Sequence, residues 1–202
     1  KKQTGGAGQF AEVFLRVEPA RRDEGFVFKN DVFGGAIPTQ FMAAVEKGVR
    51  DGLEAGVLAG FPVHDVKVSV YDGKSHSVDS KDIAFRTAAK MATRAALSVA
   101  RPVLLEPIVN LSVTVPEQYV GFVSGELKHL RARVLGVTSE AGASLVQAQA
   151  PLSELADFGA KLRGGTQGTG RFELSPSHYE PLPLALQQKV IDARPARRPE
   201  HE

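Results

Sequence analysis

The eight residues Gly73-Lys74-Ser75-His76-Ser77-Val78-Asp79-Ser80 combine a cation, three hydroxyls, an imidazole and a carboxylate. Such a set contacts a partner through hydrogen bonds and charge; without a nucleophile and base in a defined pair it does not make or break a bond. His64, Asp65, Asp72 and Asp79 enlarge the His/Asp concentration and raise the question of a metal site. Asp65 and Asp72 flank an expected strand and would stand about 20 Å apart along it. His64 and His76 then start from opposite ends, so no metal site is expected. A metal-dependent enzyme built on His64, His76 and Asp79 is the remote alternative, and a merely solvated loop histidine the bland one.

A second candidate is Phe33-Gly34-Gly35-Ala36-Ile37-Pro38. Two glycines before a proline at a helix start leave backbone N–H groups free, a natural docking place for phosphate. A flexible turn is the plain alternative. Gly5-Gly6-Ala7-Gly8 and Gly164-Gly165-Thr166-Gln167-Gly168 are also glycine-rich, but neither joins a strand to a helix with a lysine in place. The sequence contains no G-x-x-x-x-G-K-[ST], no H-E-x-x-H and no G-x-S-x-G. No catalytic centre is expected in this chain.

The elements that must position these residues are legible from periodicity. Lys1 to Gly8 reads as a flexible basic stretch. Ala11, Val13, Leu15 and Val17 alternate as a strand that Pro19 stops, and Phe26 to Phe28 begins a short second strand. Phe41, Val45, Val49 and Leu53 mark one face of a helix opened by Pro38 and ended at Gly56. Val66, Val68 and Val70 alternate as a third strand, which Asp72-Gly73 is expected to end as a turn. Asp79 or Ser80 then caps a long helix with Ala84, Ala88, Met91 or Ala92, Ala95 and Val99 facing inward. Lys74 to Ser77 would project from the intervening loop, with no apolar side chain to bury.

After Val103-Leu104-Leu105, a short buried strand, Glu106-Pro107 is the expected domain boundary, since a complete new pattern follows. Its order is a strand with Val109, Leu111, Val113 and Val115, a helix with Val120, Val123, Leu127 and Leu130, strands at 134–139 and 144–150, a helix with Leu155, Phe158 and Leu162, and a strand at 171–174. That is the split βαβ plan of ferredoxin-like domains. Residues 184–191 form a short helix, and 194–202, rich in proline and charge, a disordered tail.

Hydrophobic residues at 43% and charged residues at 24% describe a soluble globular chain with a formal net charge of only +2, so nucleic-acid contact would come from local patches. Residues 1–105 carry 15 basic and 12 acidic side chains, against 10 and 11 in the rest, which favours the first half for phosphate contact. The absence of cysteine excludes disulfides and thiolate metal sites and suits a reducing, cytoplasmic setting. No apolar run reaches the roughly 18 residues of a membrane span. The start at Lys1, without methionine, suggests a piece of something longer.

Four motifs, K-K-Q-T-G-G-A-G-Q-F at the start, G-G-A-I-P before the first helix, G-x-x-H-x-V-D-S from Gly73 to Ser80 and P-V-L-L-E-P from Pro102 to Pro107, resemble the fourth and fifth domains of bacterial elongation factor G in order and spacing. The resemblance covers nearly the whole chain. It implies an α+β protein of two domains: residues 1–105 with the fold of the second domain of ribosomal protein five, including a left-handed βαβ crossover against the usual rule, and residues 106–183 as a ferredoxin-like βαββαβ sandwich, with residues 184–202 as helix and tail. It also implies that the fourth domain's tip enters the decoding centre to promote translocation of transfer RNA and messenger RNA.

Carried over motif by motif, the nucleic-acid-binding residues are Gly34, Gly35, Ala36, Ile37 and Pro38 in one loop and Gly73, Lys74, Ser75, His76, Ser77, Val78, Asp79 and Ser80 in the other, with His76 at the apex. Phosphate and 2′-hydroxyl contacts are expected rather than base readout, since such a factor accepts every codon. The implied partners are the ribosome, its RNA and the transfer-RNA–messenger-RNA duplex, met by a monomer in the cytoplasm, with no membrane. No cofactor belongs to this chain; GTP and magnesium would serve a GTPase domain outside it. The chain departs from the family pattern in Lys128-His129-Leu130-Arg131-Ala132-Arg133, with alanine where glycine is usual, at Thr169 after Thr166-Gln167-Gly168, and at Ala11. These departures keep open a paralogue acting in ribosome recycling or protection, beside a free-standing RNA-binding module.

Overall fold

The computed structural model describes residues 8–194; the basic stretch at 1–7 and the tail from 195 on lie outside the described residues. The described residues up to Val103, with those from Ala185 on, form one compact unit, and Leu104–Leu184 form a second.

In the first unit the alternating segment forms β1 (Glu12–Pro19), followed by β2 (Phe26–Asn30), α1 (Met42–Ala55), β3 (Val66–Lys74) and α2 (Asp82–Val99). The sheet order is β1-β3-β2, with β3 antiparallel to β1 and parallel to β2. The parallel pair is joined through α1, the βαβ connection that the resemblance implied. Val66, Val68 and Val70 face the helices and are buried with Val45, Val49 and Phe85.

α1 and α2 meet closely because Gly48 and Gly52 line one face of α1. A methyl on Gly48 would collide with the Arg86 carbonyl oxygen, and one on Gly52 would sit 3.0 Å from Thr93 Cβ. Asp51 and Arg86 clamp the same pair, with Nε 2.6 Å and Nη2 3.0 Å from the carboxylate.

Two expectations fail in this unit. Asp72-Gly73 does not end β3: Asp72 pairs with Phe14, Gly73 with Val13 and Lys74 with Glu12, after a register shift between Phe14 and Leu15. Pairing with β1 satisfies the backbone through the dipeptide, and the Asp72 carboxylate accepts the Gly73 N–H at 2.7 Å. The inward face of α2 is also rotated from the expected one, carrying Ala84, Phe85, Ala89, Thr93 and Leu97, while Met91 and Val99 are exposed. Phe85, stacked on Phe41 at 4.8 Å, and the Gly48/Gly52 groove set that rotation. Thr93 fits an apolar groove because its hydroxyl donates to the Ala89 carbonyl at 2.8 Å.

The second unit runs β4 (Leu105–Pro116), α3 (Val120–His129), β5 (Arg133–Glu140), β6 (Ala143–Pro151), α4 (Phe158–Gly165) and β7 (Arg171–Pro181). Its antiparallel sheet has the order β5-β6-β4-β7. On the inner face of β4, Leu111, Val113 and Val115 are buried with Val146, Leu127, Phe158 and Leu162. This is the ferredoxin-like sandwich. The units divide between Val103 and Leu104, two residues before the expected boundary at Glu106-Pro107, whose residues lie inside β4 and pair with Glu180 and Tyr179. The last helix, α5 (Leu184–Ala193), clusters from Ala185 on with the first unit, where the Arg194 guanidinium lies 5.0 Å from the centre of the Phe61 ring.

Candidate nucleic-acid interface

The His76 loop begins where β3 ends and is tied down along its length. Ser80 does not cap α2, whose N-cap is Lys81 without a side-chain bond. Its hydroxyl instead accepts the His76 N–H at 2.8 Å and donates to the Phe10 carbonyl at 2.8 Å. Phe10 N–H donates to the Asp79 carbonyl at 3.0 Å, and the Phe10 ring stands edge-on to His76 with centroids 6.2 Å apart. A methyl on Gly8 would meet the Asp79 carboxylate at 2.7 Å, so the N-terminal segment lies directly against this loop.

The glycine loop is shaped differently. Gly34 and Gly35 adopt φ of 65° and 71°, where any side chain would be strained and where nothing else crowds them. The single turn of 3-10 helix at Thr39–Phe41 precedes α1, with Pro38 as its N-cap. Ile37 is 3% exposed and belongs to the core. It packs on the backbone of Gly73, where an added methyl would lie 2.6 Å from Ile37 Cδ1 and 2.5 Å from the Glu12 carbonyl oxygen. One buried side chain thus brings the two loops side by side, and Gly73 is the residue that lets it.

Of the thirteen residues singled out from sequence, Gly34, Gly35, Lys74, Ser75, His76, Ser77 and Val78 are exposed. Gly73 and Ile37 are buried; Ala36, Pro38, Asp79 and Ser80 are half-buried. Ile37, Gly73 and Ser80 therefore shape the surface rather than form it. Lys74 does not project from a loop: it ends β3 and pairs with Glu12 at 3.3 Å. Past Ser77 the loop also exposes an apolar side chain, Val78, at 74%.

Sequence reading missed Phe10 and Glu12, and named Phe33 only as the first residue of the glycine-loop segment. Phe33 is 86% exposed, and its signal was the alternation after β2, which turns Val32 inward and Phe33 out. Phe10 and Glu12 carried no local signal, because the chain folds back over some seventy residues to bring Phe10 to the loop. Among the described residues no three His, Asp or Glu side chains are grouped to hold a metal ion, and no helix is long and apolar enough to cross a membrane. Asp65, at the far end of β3, is occupied by the Gly25 N–H at 3.1 Å.

The basic segment after α3 has its own arrangement. Arg131, at φ 53°, takes the position past the helix end where glycine is favoured, and Ala132 N–H closes on the Leu127 carbonyl at 3.2 Å. Its guanidinium grips Glu106 with two 2.7 Å bonds and Glu154 with one of 2.9 Å. The Glu106 bond above all, then that of Glu154, raises the Arg131 pKa further. The Thr166-Gln167-Gly168 run is a second helix stop, with Gly168 N–H on the Arg163 carbonyl at 2.8 Å, which accounts for its glycine.

The described residues thus form a mixed three-stranded sheet with two helices and a paired-loop end, followed by a ferredoxin-like sandwich. Residues 1–101 match the family described as elongation factor G, domain IV, and residues 103–190 match the elongation factor G C-terminus. The chain is 44% identical over 195 residues to elongation factor G of Aquifex pyrophilus, covering 96% of this chain and 28% of that protein. A crystal structure of a Thermus thermophilus protein superposes with a TM-score of 0.85 at 42% identity, over 96% of this chain and 29% of that one. The chain belongs to the elongation factor G family, and corresponds to its domain IV and C-terminal domain. It spans under a third of the length of the relatives it matches.

Proposed function

We propose that this chain is the ribosome-binding portion of an elongation factor G-like translational GTPase, and that the paired loops of its first unit enter the decoding centre to promote movement of transfer RNA and messenger RNA. The observation that carries the reading is the packing of Ile37 on Gly73, which presents two exposed polar turns as one rigid surface. The role is mechanical. The loops occupy space and offer hydrogen-bond donors to RNA backbone oxygens, which exist at every codon. GTP and magnesium act in a domain outside this chain, and the factor works as a cytoplasmic monomer.

The test is a graft of this chain in place of the corresponding residues of the Aquifex pyrophilus factor. His76→Ala with Lys74→Ala should slow single-round translocation about tenfold, the worth of one or two hydrogen bonds, while ribosome-stimulated GTP hydrolysis persists. Unchanged translocation would remove the tip assignment. A second reading, a paralogue serving ribosome recycling or protection, rests on the departures at Ala132, Thr169 and Ala11. A graft that splits ribosomes but does not translocate would select it.

A further inference from the structure

The orientation of the His76 ring specifies which of its nitrogens meets a partner. Nδ1 lies 3.3 Å from the backbone nitrogen of Val78 and 3.3 Å from that of Asp79, and both groups donate to it. A backbone N–H only donates, so Nδ1 carries a lone pair and the ring proton sits on Nε2. Asp79 Oδ2 stands 3.6 Å from Nδ1, a spacing that would suit an ion pair if the ring were charged. Nε2 is at the far edge of a side chain that is 52% exposed, and among the described residues nothing bonds it.

The loop curvature that aims those two N–H groups inward depends on Ser80 and Phe10. Ser80 holds the His76 N–H and the Phe10 carbonyl at once, and the Asp79 carbonyl accepts from Phe10 N–H. We propose that Ser80 and Phe10 are positioning residues that hold His76 as its Nε2–H tautomer with that N–H turned outward, so the tip recognises an acceptor oxygen of an RNA backbone through a neutral donor. This deepens, and rests on, the reading of the tip as an RNA contact. A neutral donor releases no counterion on binding, so the contact is one of geometry and not of charge. It suits a surface that must engage and leave every codon alike.

Two measurements decide it. Nitrogen-15 spectra of the 202-residue chain should show the His76 ring as Nε2–H; a Nδ1–H ring or an even mixture overturns the proposal. Ser80→Ala should move those ring shifts toward the mixture, and unmoved shifts would show that Ser80 does not position the ring. In the graft, His76→Gln places an amide N–H near the site of Nε2, whereas His76→Asn places one near Nδ1. Gln should keep translocation within about threefold and Asn should lose about tenfold, the range of one neutral hydrogen bond. The reverse order overturns the proposal. A messenger with 2′-deoxy sugars in the codon separates the acceptors: loss of the difference between Gln and Asn assigns the ribose hydroxyl, and its persistence the phosphate. If the unsubstituted graft fails to translocate, the proposed function fails, while the ring spectra still judge the tautomer.

Discussion

The turn from Gly73 to Ser80 in the first unit and the segment from Lys128 to Arg133 in the second are alike as text, each a short stretch with a lysine and a histidine beside a helix end. The structure uses them in opposite ways. In the first, backbone and hydroxyl groups consume one another, and the Nε2 edge of His76 is left outward. In the second, the strongest cation is consumed: Arg131 is held by Glu106, whose side chain is only 9% exposed, and by Glu154. A charge locked in a part-buried, doubly hydrogen-bonded pair is withdrawn from a partner, whereas an exposed pair such as Lys74–Glu12 gives way at little cost. Glu106 claims Arg131 because β4 runs through the expected boundary and carries that carboxylate inward.

The contrast breaks most readily at Arg131. Arg131→Ala leaves the Glu106 carboxylate buried without a cation and should destabilise the second unit by about 3 kcal/mol, read as a drop in urea midpoint. A loss below about 1 kcal/mol would mean the guanidinium is in effect free. Gly73→Ala comes next. Its methyl meets Ile37 and the Glu12 carbonyl, and should cost about 2 kcal/mol, with the first unit's melting temperature falling and the two loops parting.

Milder substitutions refine the contrast. Lys74→Ala removes an exposed pair with Glu12 and should alter stability by less than about 0.5 kcal/mol, so any larger effect on ribosome binding belongs to the contact itself. Asp51–Arg86 is the exposed counterpart of the Arg131 clamp. The hydrogen bond from Arg86 holds the Asp51 carboxyl below its ordinary value of 3.8. A lowered carboxylate pKa contributes stability above that ordinary value and loses it as pH falls through the lowered one. Asp51→Asn should therefore flatten the acid limb of the stability curve, measured by urea unfolding across that pH range, at a cost of under about 1 kcal/mol at neutral pH.

Periodicity found the strands and helices because each buries one face, and the valines of β3 and β4 say so at spacing two. It missed the course of β3 through Asp72-Gly73, since a dipeptide that favours turns also tolerates a strand when a neighbour supplies the pairing. It misjudged the face of α2 because small residues lie all around that helix, and only the glycine groove of α1 tells Ala89 and Thr93 from Ala88 and Met91. His76 was legible as a polar residue in a polar loop. Which of its nitrogens faces out was not, because that depends on N–H groups oriented by a serine bonded to Phe10, some seventy residues earlier.

Residue order alone determined the two α+β units, the family and the two loops, since hydrophobic spacing and short motifs are local properties that survive without neighbours. Which side chains in those loops are exposed, which are spent on the fold, and that Ile37 and Gly73 join the loops into one surface were decided by tertiary structure. Those outcomes depend on contacts between segments far apart in the chain, where a single carbonyl or methyl settles what fits.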